Sequence, residues 1–137
     1  MPIKTRTVAA ALGFIVCLVG PAAVPAAAEE SSGAVVTMYH RFGENDYPAT
    51  NIRIAQFEEH LEELKNERYR VLPLPEIVAA LKTGKSLADH TIAITVDDAF
   101  LSVYEHAWPR LKAAGLPFTL FVATGVIDRK VQGYMNW

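Results

Sequence analysis

Short apolar runs rich in β-branched residues alternate with helix-forming stretches, and nothing else in this chain narrows its fold as much. Ala34–Tyr39 (AVVTMY) is nearly continuous in apolar character and reads as a strand buried on both faces, as in parallel sheets. His40 to Asn51 is polar, holds Gly43 and Pro48, and reads as a long loop. Ile54–Arg68 sets Phe57, Leu61 and Leu64 on one helical face, with Glu58 and Glu59 expected in its first turn, where the helix dipole favours acids. Tyr69–Leu72 reads as a short strand. Glu76–Lys82 reads as a helix started by Pro75 and capped by Gly84. Thr91–Val96 (TIAITV) is the clearest strand and ends abruptly at Asp97-Asp98. Leu101–Ala114 is helical, divided by Pro109 and closed by Gly115. Phe118–Val122 (FTLFV) reads as another buried strand, Thr124–Gly133 as a loop, and Tyr134–Trp137 as the approach to a further element.

Strands and helices alternating in this way predict parallel strands joined by right-handed crossovers, so the α/β class. Both a (β/α) barrel and an open doubly wound sheet accommodate such strands. A barrel of this type takes about eight strands and four cannot close it, so the expectation is part of a larger domain: an incomplete N-terminal portion of a (β/α) TIM-like barrel.

The first residues have a different character. Lys4 and Arg6 precede an apolar run from Val8 to Gly20, Pro21 breaks it, and Ala26-Ala27-Ala28 offers small residues before Glu29. This is the pattern of a secretory signal peptide over residues 1–28, with an uncleaved anchor as the alternative. Residues 29–33 then form a flexible lead-in, and the expected location is periplasmic or secreted, with no stable membrane span after cleavage. The sole cysteine, Cys17, lies in the apolar run, so the rest has no disulfide, thiolate nucleophile or cysteine metal site. All 15 acids follow Ala28 and two of the 13 basic residues precede it, leaving a net charge of −4 and no basic run. Binding to nucleic acid is therefore disfavoured.

In α/β folds functional side chains gather at the carboxyl ends of strands. Here one such end is Tyr39-His40-Arg41 and another is Asp97-Asp98. Adjacent carboxylates repel each other, and a cation relieves the repulsion. One of the pair can hold a divalent metal while the other acts as a general base. Equally, one aspartate can cap the next helix while the other is solvated. His40 reads as a structural residue or a ligand, His60 as a surface residue, and His90 lies at the amino end of its strand. His106 has no evident role, and no two histidines have metal-pair spacing.

Thr95-Val96-Asp97-Asp98-Ala99, followed by Tyr104 and Pro109 to Gly115, resembles the signature of the polysaccharide deacetylases, carbohydrate esterase family 4, with the NodB-homology domain. Val36-Thr37-Met38-Tyr39-His40-Arg41 resembles the first strand of one branch of that family, and Phe118–Val122 a later barrel strand. Tyr134-Met135-Asn136-Trp137 resembles the run before the helix that leads to the metal histidines. The resemblance implies a deformed (β/α) barrel, over residues 34–137, that removes acetyl groups from N-acetylated polysaccharide with zinc or another divalent metal. It implies Asp97 as the general base, Asp98 as the metal-binding aspartate, and His40 beside the substrate groove. Ala99 stands where the family has glycine, which strains the backbone if a positive φ is needed there. The His-Ser/Thr-x-x-His segment that supplies the remaining ligands has no counterpart, so this chain is expected to be inactive by itself.

Two other readings stay open. A non-catalytic exported remnant that binds carbohydrate or a partner accommodates the missing ligands. A barrel glycosidase needs two carboxyl groups flanking a bond, which neighbouring residues at one strand end suit less well than a metal.

Overall fold

A computed structural model describes residues 33–137. The signal-peptide reading of residues 1–28 and most of the lead-in lie outside the described residues. The framework is a parallel sheet centred on β5 (Thr91–Asp97). On one side runs β1 (Val35–Tyr39), with Val35 opposite Ile92 and Tyr39 opposite Val96. The other side is shared. Strand β4 (Arg70–Val71) pairs with Thr91 and Ile92, and β6 (Thr119–Phe121) pairs with Thr95 to Asp97. Every pairing in this sheet is parallel, as the alternation of strands and helices predicts. Two short strands, β2 (Arg41–Phe42) and β3 (Asn51–Ile52), make a separate parallel pair. They pin the ends of the segment expected to be only a loop.

Strand β5 is central because its sequence tolerates burial everywhere: Thr91 to Val96 are all buried. Its threonines carry hydroxyls, yet each finds an acceptor. Thr95 Oγ1 donates to Thr37 O at 2.9 Å, and Thr91 Oγ1 to Ala88 O at 2.6 Å. Such pairing removes the penalty for burying a polar group. Alternation sends Ile94 and Val96 into one core with Phe42, Phe57, Leu61, Phe100, Val103 and Leu111. Ala93 faces a second, smaller core with Ile77, Ala80 and Leu87.

The helices supply the cover. Helix α1 (Ile54–Leu64) buries Phe57 and Leu61. It stops earlier than the apolar spacing suggests, because the Asn66 side chain accepts the Arg68 N–H at 3.1 Å and so offers the backbone a turn. Because it starts at Ile54, Glu58 lies beyond its first turn, which holds no acid. Helix α2 (Leu74–Thr83) has Pro75 in its first turn and Gly84 at φ 67 as its cap, as the sequence predicts. The stretch Leu101–Ala114 divides at Pro109. Residues Val103–Ala107 form a π-helical turn, in which Trp108 N–H reaches back to Val103 O, and α3 (Trp108–Ala114) follows. Proline has no N–H to continue the regular ladder, and the wider turn absorbs the defect. Gly115, at φ 66, ends α3.

Three further expectations need correction. Strand β1 is not buried on both faces: Val35 is 61% and Met38 63% exposed, and among the described residues β1 lies at the edge of the sheet, paired with β5 alone. The same holds at β6, where Phe121 is 49% exposed. The stretch Thr124–Gly133 is not wholly a loop, since Thr124–Asp128 forms a short helix, α4, that buries Ile127.

Candidate active site at the carboxyl edge of the sheet

Strands β1, β5 and β6 run in parallel and end together at Tyr39, Asp97 and Phe121. The segments that follow them therefore rise from one edge of the sheet. Asp97 is the last residue of β5 and sits on the face shared by Ala93 and Thr95, opposite Ile94 and Val96. Asp98 follows in the left-handed region at φ 70, and Ala99 at φ 58. The chain therefore does not run on as a strand past Asp97. It turns through two left-handed residues, and the two carboxylates leave the sheet at its carboxyl edge.

Both aspartates are half-buried. Among the described residues neither carboxylate takes part in an ion pair or accepts a hydrogen bond from a side chain or from an N–H group. The expected alternative, in which one of them caps the following helix, is not seen among the described residues: the N–H groups of Leu101 and Val103 go to Gly133 O and Phe100 O instead. Two neighbouring carboxylates, unpaired among the described residues, stand where the fold gathers its functional groups.

His40 follows Tyr39 directly. Extending the β1–β5 register by one residue sets it opposite Asp97. It lines a hollow of about 370 Å³ together with Met38, Tyr39, Arg41 and Asn51, and neither aspartate lines that hollow. The three candidates thus share one edge of the sheet, but His40 opens toward a different recess from the carboxylate pair. His60 lies elsewhere: its Nδ1 is 2.9 Å from Tyr39 Oη, on the helical side. Burial pushes the Tyr39 hydroxyl above its ordinary pKa. His90 sits at the amino end of β5 at φ 56, away from this edge.

Sequence reasoning missed what surrounds the turn. The Arg41 guanidinium lies between two rings, 3.8 Å from the centre of Tyr47 and 3.5 Å from that of Phe100. It pairs with Glu44 at 2.6 Å. The other Glu44 oxygen accepts the Ser102 hydroxyl at 2.6 Å, and Ser102 Oγ accepts the Phe42 N–H at 3.2 Å. On the far side Tyr134 stacks on Phe100 at 4.5 Å, Met135 N–H donates to Ala99 O at 2.9 Å, and Leu101 N–H donates to Gly133 O at 2.8 Å. The one sequence signal for this cluster was Arg41 three residues before Glu44; its partners Phe100, Ser102 and Tyr134 are remote in sequence and unremarkable alone.

As a metal centre, the described residues do not suffice. A catalytic zinc site takes three protein ligands. No group of three or more His, Cys, Asp or Glu able to hold a metal exists among the described residues. The Asp97–Asp98 pair supplies hard oxygen donors for part of such a set and no more.

The comparisons agree with the motif. No family model matches the chain. The poly-beta-1,6-N-acetyl-D-glucosamine N-deacetylase of Staphylococcus aureus (strain MSSA476) is 35% identical over 76 residues, 56% of this chain and 26% of that protein. YxkH of Bacillus subtilis (strain 168), assigned to the polysaccharide deacetylases, is 26% identical over 102 residues, 74% of this chain and 36% of that protein. Among solved structures, IcaB from Ammonifex degensii matches with a TM-score of 0.67 at 32% identity, covering 78% of this chain and 46% of its own. The Streptococcus pyogenes deacetylase PplD shares the fold with a TM-score of 0.65 at 24% identity, covering 75% of this chain and 48% of its own. The chain thus spans about a quarter to a half of the relatives it matches. Motif, relatives and fold agree that the described chain is related to the polysaccharide deacetylases.

Proposed function

We propose that this chain carries one wall of a polysaccharide deacetylase active site, with Asp97 as proton acceptor and Asp98 as a carboxylate ligand for a divalent metal, zinc in the reading from the motif. The observation behind it is the pair of carboxylates at the carboxyl end of the most buried strand, without partners among the described residues, in a chain related to deacetylases. The substrate is an N-acetylated amino-sugar polymer, on the strength of the relatives' own activity. Asp97 takes a proton from the water that attacks the acetyl carbonyl carbon. The leaving nitrogen takes up a proton as the carbon–nitrogen bond breaks, giving acetate and a free amine. His40 lines the hollow beside this edge and contacts the polymer there.

The described residues alone hold too few donors for the metal. The larger architecture in this proposal is a deformed (β/α) barrel, supported by the likeness to IcaB and by the open edges at β1 and β6. Export to the periplasm or beyond belongs to the same proposal. It rests on residues 4–28, and among the described residues no helix is long and apolar enough to cross a membrane.

The test is a chimera of Ammonifex degensii IcaB in which residues 34–137 replace the part they match. We expect metal-dependent acetate release from N-acetylated glucosamine oligomers, lost by at least about a hundredfold in D97N and in D98N. A chimera that turns over equally well with both substitutions refutes the assignment. Residues 33–137 alone are expected to release no acetate.

One observation favours a second reading. The lack of any three-ligand group among the described residues suits a non-catalytic exported protein that binds carbohydrate or a partner. Saturable binding of acetylated oligomers, unchanged by D97N and D98N, is the result that this reading predicts.

A further inference from the structure

We propose that Arg41 is a positioning residue for the Asp97–Asp98 pair: it clamps Phe100 and so holds the left-handed turn on which both carboxylates depend. Asp98 and Ala99 are consecutive non-glycine residues at positive φ. Aspartate visits this region with some ease and alanine does not, so the conformation persists only where its surroundings enforce it. Among the described residues no side chain from Asp97 to Phe100 makes a hydrogen bond that could enforce it from within. The enforcement comes from outside, through two backbone bonds to Gly133 and Met135 and through the Phe100 ring, held between Tyr134 and Arg41.

Arg41 is built for that task. Its side chain is only 14% exposed, and its guanidinium plane is covered by Tyr47 and Phe100 on their ring faces. Glu44 neutralises it and fixes its azimuth. Glu44 is fixed in turn by Ser102, which lies two residues beyond Phe100, and by its own N–H donating to Asn51 Oδ1 at 2.8 Å. Arg41, Glu44, Ser102 and Phe100 form a closed circuit between the segment after β1 and the turn after β5. Arg41 adjoins His40, and Phe100 is two residues from Asp98, so one clamp sets the spacing of all three candidates. A lysine in this place would keep the charge and lose the flat, two-faced stack.

The catalytic meaning of the turn rests on the function proposed above; the clamp itself does not, and the two are tested separately. Amide exchange is measured by NMR on the full chain for the unaltered protein, R41M, R41K and S102A. Leu101 and Met135, whose N–H groups tie the turn down, are expected to exchange at least about tenfold faster in R41M and R41K. Ile94 in β5 is expected to change by less than about twofold, because the opening is local. The intraresidue HN–Hα signature of positive φ at Asp98 and Ala99 is expected to weaken in parallel. Should R41M not fold, R41K and S102A answer the same question, with S102A expected to fall between R41K and the unaltered protein. Unchanged protection of Leu101 and Met135, or a uniform rise over all amides including Ile94, overturns the clamp. A chimera indifferent to D97N and D98N overturns the catalytic reading and leaves the clamp standing.

Discussion

Glycine at position 99 is the sharpest probe of the turn, because the structure fixes both sides of its energy balance. Ala99 is fully buried and sits at φ 58. A left-handed alanine carries a steric cost of about 1–2 kcal/mol, which A99G removes. The same substitution gives up a buried methyl worth about 0.8 kcal/mol. It also makes the unfolded chain looser, at about 0.4–1 kcal/mol. These terms nearly cancel, so A99G is expected to shift stability by less than about 1 kcal/mol in either direction. Ala93 is the control: it is equally buried, but lies inside strand β5, where no left-handed penalty exists to remove. A93G suffers both losses without relief, about 1.2–1.8 kcal/mol. The shared terms drop out of the comparison, and A99G should be the more stable by about 1–2 kcal/mol. Urea unfolding followed by circular dichroism, with the slope constant between variants, measures this directly. If A99G loses as much as A93G, Ala99 does not carry a left-handed cost, and strain at the aspartate turn is refuted.

Other expectations follow from single contacts. Burial raises the Tyr39 hydroxyl above the ordinary value of 10.0, so above that pH the unfolded chain gives up this proton before the folded one does. Stability should therefore fall as pH rises from about 10 toward the folded pKa, and Y39F should flatten that part of the alkaline decline in a denaturation series. Gly43 and Gly84 both have positive φ, but a Cβ on Gly43 would lie 2.9 Å from Ile54 Cγ1, whereas one on Gly84 meets nothing within 4 Å. G84A should cost about 1 kcal/mol of backbone strain alone, and G43A clearly more, read from the same unfolding midpoints. Equal losses at the two sites would show that Ile54 yields freely.

Much of the frame was legible because it depends on local chemistry. Thr91–Val96 has no charge and a high β-branched content, so it became the central strand, and Pro75 with Gly84 bounded a helix where the rules for helix ends put them. What failed was burial. AVVTMY looks the same whether or not a neighbour covers it, and only the sheet order shows that β1 has an open edge. The carboxylate pair was legible as a motif because adjacent aspartates after a buried strand are costly without a use. The grip on that pair was not, because it is made by Arg41, Glu44, Phe100, Ser102 and Tyr134, brought together across as many as 93 positions of chain.

The alanine at position 99 links these two levels. The resemblance to the deacetylase motif presents it as a departure whose meaning depends on φ, and the structure sets that φ at 58. A glycine there would reach the turn without strain, and the turn would then need little support from outside. With alanine the left-handed geometry must be imposed, and the contacts that impose it come from two separate segments, Arg41 after β1 and the 133–135 crossing, which meet at the Phe100 ring. In that arrangement the tolerance of alanine at 99 and the need for an arginine at 41 are one property. The two substitutions should therefore be coupled: R41M should cost less when residue 99 is glycine than when it is alanine. A double-mutant cycle on the unfolding midpoints reads this as an interaction energy in the range of about 0.5–3 kcal/mol expected for residues acting on one backbone segment. Strict additivity of R41M and A99G would mean that the clamp and the strained turn are independent, and that Arg41 serves only the packing of Phe100.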